Sequence, residues 1–264
     1  MSHITSALRA PAASGRPRPF LIDHDSYATA VIRQGRPVPW TDLAELTGHF
    51  HQVHSLLDPD ATWVDAGALL RAYLSVRPEL TQAMAERGRP GYALRTLLDD
   101  EGATEAVVRT LTTLTTATGR PVIVSVPSPA RWLAQTHAIA GTPRPEIDED
   151  RADSASLYVA QWLGRLGALP GAMILLDARG DDVDIVEKPE AYTAVVNVCD
   201  HLEWIVAMRD DDGVAVVGDH PSIGVVDPAF WRGAGALPET PVLLAQIPAT
   251  AAPEQVLDRL ATLT

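Results

Sequence analysis

Several apolar runs in this sequence end on a side chain that can move a proton or hold an anion. Trp63-Val64 leads to Asp65, and Val122-Ile123-Val124 leads to Ser125 and then Ser128. Ile174-Leu175-Leu176 leads to Asp177, and Val216-Val217-Gly218 leads to Asp219-His220. A carboxylate and an imidazole at one end of a sheet can serve as general acid and base on a bound molecule. Asp177 and His220 are therefore the candidate catalytic pair, with Asp65 as a third catalytic candidate. Ser125, Ser128 and Arg131 are candidates for substrate binding. Arg131 stands one turn into the helix that Ser128-Pro129 opens, and its fork of donors matches a carboxylate. Helix capping is the plain alternative for Ser128 and Asp65, and a solvated surface position is the alternative for Arg131.

A second set could bind metal. In Val198-Cys199-Asp200-His201-Leu202-Glu203 the thiolate, imidazole and carboxylate are all zinc ligands. If the segment is extended, Cys199, His201 and Glu203 share one face. If it is helical, Cys199 and Glu203 remain neighbours and His201 points away. The cofactor expectation is accordingly zinc or none. His49, His51 and His54 form a third cluster, but His49 and His51 would point about 160° apart on a helix. One straight helix cannot bring all three to one ion, and His54 borders the apolar stripe. Lys188 is the only lysine, so Schiff-base chemistry would have to use it. It lies in the polar stretch Glu187-Lys188-Pro189-Glu190, which reads as a solvated turn.

Composition narrows the setting. Of 264 residues, 46% are hydrophobic and 21% charged, which is ordinary for a globular domain. The formal net charge is −13. Such a surface repels a phosphate backbone and anionic lipid, so neither nucleic acid nor membrane is an expected partner. A small-molecule substrate is expected, and a homo-oligomer is left open. There is one cysteine, no long apolar run and no secretory h-region, which together point to the cytoplasm. No phosphate-binding G-x-x-x-x-G-K-[ST] loop is present, no dinucleotide G-x-G-x-x-G follows a strand, and there is no G-x-S-x-G elbow.

The elements that must position these residues alternate. Residues 1–20 are rich in Pro, Arg, Ala and Ser and read as a loose arm. A weak helix is expected over Asp25–Arg33. Leu43, Leu46, Phe50, Val53 and Leu57 repeat at helical spacing behind a cap at Thr41 or Asp42. Strands are expected at 61–65, 121–126, 172–177, 202–208, 214–217, 223–226 and 242–247. Helices are expected at 66–74, from Pro78, over 103–118, from Ser128, behind Asp153 or Ser154, over 190–200 and from Pro253. Alternating buried strands and amphipathic helices imply a parallel sheet with crossover helices. We expect residues 21–264 to form one α/β domain, a (β/α)8 TIM-like barrel that is shortened or incomplete, with its chemistry at the strand C-termini.

Pro121–Ala134 (PVIVSVPSPARWLA) resembles the superfamily of uroporphyrinogen decarboxylase and cobalamin-independent methionine synthase, where a strand ends in a Gly/Ser-Pro turn that opens a helix. The order of later parts is also similar. A helix ends in Leu-Gly-Ala, Ala172–Asp177 follows, and Ile223-Gly-Val-Val precedes Asp227 and Pro253-Glu-Gln-Val-Leu. The resemblance spans roughly residues 60–264. It implies a barrel acting as a lyase, a decarboxylase or a methyl (alkyl) transferase on a carboxylated metabolite. The decarboxylase's N-terminal arginine motif is reduced here to Pro37-Val-Pro-Trp40. The methyltransferase's His-x-Cys appears as Cys199-x-His201, so neither catalytic set carries over. The alternative is a degenerate, non-catalytic barrel that acts as a binding or complex-forming subunit.

Overall fold

A computed structural model describes residue 8 and residues 12–167, 169, 172–180 and 183–263. Its strands are β1 (Phe20–Asp23), β2 (Thr62–Asp65), β3 (Val122–Pro127), β4 (Ala172–Asp177), β5 (Ile205–Arg209), β6 (Val214–Val216), β7 (Ile223–Val226) and β8 (Val242–Gln246). The helices are α1 (Asp25–Tyr27), α2 (Leu43–Leu57), α3 (Ala66–Ser75), α4 (Pro78–Ala85), α5 (Tyr92–Asp99), α6 (Glu101–Thr118), α7 (Pro129–Ala140), α8 (Glu149–Arg165), α9 (Thr193–His201) and α10 (Pro253–Ala261).

Local chemistry fixes most of the boundaries. The Asp42, Asp65, Asp100 and Asp148 side chains each accept a hydrogen bond from a backbone N–H of the helix they precede. Asp148 starts α8 about a turn and a half earlier than the expected Asp153 or Ser154, and Glu149 and Asp150 suit the positive end of that helix. Gly119 ends α6 in the left-handed conformation, as its position predicts. Helix α5 was not expected. It follows the Arg89-Pro90-Gly91 turn directly, and Gly91 precedes it at φ 78°.

The strands form two sheets, not one closed sheet. One has the order β1-β8-β7 and the other β2-β3-β4-β5-β6. All ladders are parallel except β5–β6. That exception has a local cause. The turn after β5 is stapled by Asp210, whose Oδ1 accepts from the Asp212 and Gly213 amides, so β6 returns as a hairpin with no crossover helix. Between the β1 and β2 segments there is no ladder, but the Asp60 amide donates to the Phe20 carbonyl at 3.2 Å.

The two sheets nevertheless share an interior. Leu21, Trp63, Ile123, Met173, Leu175, Ile205, Ala207, Ile223, Val242 and Leu244 form one buried cluster, drawn from both sheets. The alternate residues face outward. Val64, Val124, Ile174 and Val206 pack under the helices of the larger sheet, and Phe20, Ile22, Leu243 and Ala245 under those of the smaller.

The segment expected to be a loose arm is held, over its described part from residue 12. Ser14 bonds to Asp60 through its amide and hydroxyl, Arg16 donates to the Leu57 and Asp58 carbonyls, and Arg18 donates to those of Pro238 and Thr240. Among the described residues no helix is long and apolar enough to cross a membrane.

Candidate functional site

Side chains alternate along a strand, so the interior row can be followed to its end on each one. Leu21 is followed by Asp23, Trp63 by Asp65, Ile123 by Ser125, Leu175 by Asp177, Ala207 by Arg209 and Leu244 by Gln246. On these six strands the apolar row thus closes on a polar residue toward the strand's C-terminal end. The register sets these residues side by side: Asp65 pairs with Ser125, Asp177 with Arg209, and Asp23 with Gln246.

They divide into two groups. The first lines an open cleft of about 140 Å³, bounded by Asp65, Arg71, Ser125, Arg131, Asp177 and Arg179. Arg179 lies two residues past β4, and Asp177 grips it at both oxygens, Nε to Oδ1 at 2.8 Å and Nη2 to Oδ2 at 2.6 Å. Asp65 caps α3 through Oδ1, and its Oδ2 lies 3.6 Å from Arg71. Its pKa is raised to about 6, chiefly by burial and then by the neighbouring Asp25 charge, against the Ala68 amide and Arg71. A carboxyl in that range can give or take a proton near neutrality.

The second group fills the centre between the sheets. Arg209 reaches Asp23 at 3.2 Å, and Arg179 approaches the same oxygen at 3.7 Å. Gln246 Oε1 accepts from Arg179 at 3.0 Å and from Arg209 at 3.4 Å. This network ties β1 and β8 to β4 and β5 at the point where no backbone ladder joins them. Burial, followed by the Asp25 charge, raises the Asp23 carboxyl to about 6 although both arginines pull it down.

Of the sequence-predicted residues, Asp65, Ser125, Arg131 and Asp177 come together in the cleft. Ser128 stands beside them. Its Oγ accepts from the Arg131 amide and donates to Glu187 at 2.6 Å. His220 does not join them. Because β6 runs antiparallel to β5, the β6–β7 connection that carries His220 leaves from the end where the parallel strands begin. The carboxylate–imidazole pair expected of Asp177 and His220 is therefore split across the sheet.

The Cys199 segment is helical as far as His201, and Glu203 lies beyond the helix at φ 57°. Cys199 is buried on the inner face of α9, while His201 and Glu203 are exposed. Among the described residues no three His, Cys, Asp or Glu side chains are grouped to hold a metal ion. Burial pushes the Cys199 thiol up to about 12. The native protein is expected to resist a thiol-titrating aromatic disulfide at pH 8 and to react stoichiometrically once unfolded in guanidinium. Rapid reaction of the native protein would mean that α9 opens readily.

Sequence reasoning missed Asp23, Arg209, Gln246 and Glu187. The first three carried the same signal as Asp65 and Asp177, an apolar run closing on a polar residue. Glu187 carried none: its turn looked solvated, yet its side chain is 2% exposed. His24, next to Asp23, is also buried, and its ring lies 6.5 Å from that of His49. Burial, the His24 charge and Arg33 lower His49 to about 4. His54 is lowered to a similar value, mainly by burial, and its Nε2 is 3.3 Å from the Thr62 hydroxyl. His51 is exposed, so the three histidines of α2 face different surroundings. No family model matches the chain, and no curated protein or solved structure matches it either.

Proposed function

We propose that the chain is an enzyme acting on a small carboxylated metabolite in the cleft at the strand C-termini, with chemistry of the lyase or decarboxylase type. One observation carries this reading. Two carboxylates and three guanidinium groups from β2, α3, α7 and the end of β4 converge on a single cleft in a chain of net charge −13. Arg131 and Arg179 would hold a substrate carboxylate that does not leave. Asp177, both of whose oxygens are on Arg179, would orient that guanidinium. Asp65 would move the proton at the carbon being cleaved or protonated. The cleft is smaller than the roughly 300 Å³ at which drug-sized sites begin, which suits a small molecule.

The fold reading that goes with this proposal is an incomplete (β/α) barrel of the uroporphyrinogen decarboxylase and methionine synthase type, opened where the two sheets meet and departing from eight parallel strands at the reversed β6. It is supported by the shared interior cluster and by the common end at which Asp23, Asp65, Asp177, Arg209 and Gln246 lie. A second reading, a non-catalytic binding subunit, is favoured by a different observation. Each cleft arginine already faces a protein carboxylate: Arg71 faces Asp65, Arg131 faces Glu187 and Arg179 faces Asp177.

Solvent exchange separates the two. Small carboxylates such as acetate, butyrate and succinate would be incubated with the protein in D2O, and deuterium entry at the carbon beside the carboxylate followed by NMR. The enzyme reading expects exchange that falls 100- to 10,000-fold in Asp65→Asn, about the range for losing a general acid or base. Calorimetric binding of the same molecules is expected to weaken at least about tenfold in Arg179→Met. Binding without exchange would leave the binding-subunit reading; no binding at millimolar concentration would end both.

A further inference from the structure

A second cavity, of about 340 Å³, adjoins the cleft where Arg131 of the one lining meets Glu187 of the other. Its walls include Ala152, Ile185, Val186, Ala191 and Tyr192, with Glu149, Asp153 and Lys188 also at its surface. Val186 is 86% exposed on this lining, where a bound apolar group would cover it. An ion pair stands between the two spaces. Arg131 lines the cleft and Glu187 lines the second chamber, with Nε and Oε1 3.8 Å apart and both side chains almost fully buried. Glu187 is held from its own side by the Ser128 hydroxyl at 2.6 Å and by the Tyr192 hydroxyl. Arg131 is held from the other side, where Nη2 donates to the Gly180 carbonyl at 2.5 Å.

Opening such a partition by pulling the charges apart would strand a buried ion. An incoming carboxylate lowers that cost, because it gives Arg131 a new partner, while the Ser128 and Tyr192 hydroxyls stay on Glu187 and offset part of the repulsion between the two carboxylates. We infer that a substrate carboxylate takes the place of Glu187 on Arg131 and that the apolar body of the same molecule lies in the second chamber. The site then takes a carboxylate carrying an apolar chain or ring rather than a bare dicarboxylate. This rests on the cleft being a carboxylate site, and it adds the class of molecule the cleft accepts.

The test is a chain-length series of acetate, butyrate and hexanoate, titrated calorimetrically into the full-length protein. Affinity is expected to rise about fourfold per methylene that enters the chamber. Glu187→Gln removes the competing charge and is expected to tighten binding of every member about tenfold, whereas a purely structural glutamate would leave affinity level or weaken it. Ala191→Trp, at an exposed position on the chamber wall, is expected to flatten the series by filling the space. A series that is already flat in the wild type, with acetate binding intact, would overturn the chamber and leave the cleft reading standing. Failure of acetate itself to bind would overturn both. A Glu187→Gln variant that folds but binds no tighter would overturn the exchange at Arg131.

Discussion

Replacing Arg209 with methionine is expected to lower the free energy of unfolding by about 3–5 kcal/mol, the usual cost of removing one partner from a buried ion pair. Arg209 and Asp23 are 6% and 8% exposed, and their contact at 3.2 Å crosses between the two sheets. Without Arg209, Asp23 keeps only the longer 3.7 Å approach of Arg179 in a site that already raises its pKa. Gln246 Oε1 also loses one of its two donors. The double variant Arg209→Met, Asp23→Leu leaves no buried charge and is expected to recover most of the loss. Urea unfolding of the two variants beside the wild type measures both numbers. A loss below about 1 kcal/mol in the single variant, within the range of exposed pairs, would show that water reaches the network.

The second large effect is in pH dependence, where two buried groups oppose each other. Asp23 titrates near 6 in the folded state and near 3.8 in the unfolded chain. Between those values the folded state binds more protons, so stability rises as pH falls through 6, and the gain is complete below 3.8. His49 titrates near 4 when folded and near 6.5 when unfolded. There the unfolded state binds more protons, so stability falls as pH drops through 6.5, and the loss is complete below 4. Each effect is worth roughly 3 kcal/mol. Their contributions therefore nearly cancel between pH 6.5 and 4 in the wild type. His49→Phe exposes the Asp23 contribution, and stability is expected to increase on acidification. Asp23→Asn exposes the His49 contribution, and stability is expected to decrease. Asp65 and His54 repeat the same opposition, with folded values near 6 and near 4. Urea midpoints measured at half-unit pH steps would show the divergence; parallel profiles in the two variants would contradict it.

Much of the local structure was legible because it is decided locally. Asp42, Asp65 and Ser128 cap the helices they precede, Gly119 ends α6, and Pro253 opens α10. The β-branched run at 122–126 could hardly be other than a buried strand. The same logic found Asp65, Ser125 and Asp177, since an apolar run closing on a polar residue marks a strand end. It passed over Asp23 because Phe20–Asp23 follows a Pro- and Arg-rich stretch that reads as an arm. That stretch is anchored by Asp60, a partner 46 residues from Ser14 along the chain, which no local pattern could supply.

What the sequence by itself determined is therefore periodicity, caps and the rows of side chains that face the interior. These depend on residues within a few positions of one another. The tertiary structure alone decided which strand ends meet. The antiparallel return of β6 puts His220 at the far end from Asp177, and the packing of two sheets over one apolar interior brings Asp23 to Arg209 across 186 residues. It also decided which charges lose their water. Glu187 sits in a turn that any local reading leaves solvated, and it becomes a buried partition because Ser128, Arg131 and Tyr192 converge on it from other elements. Burial is a property of everything packed around a residue, so the groups whose protonation and partners it sets could be seen only in the fold.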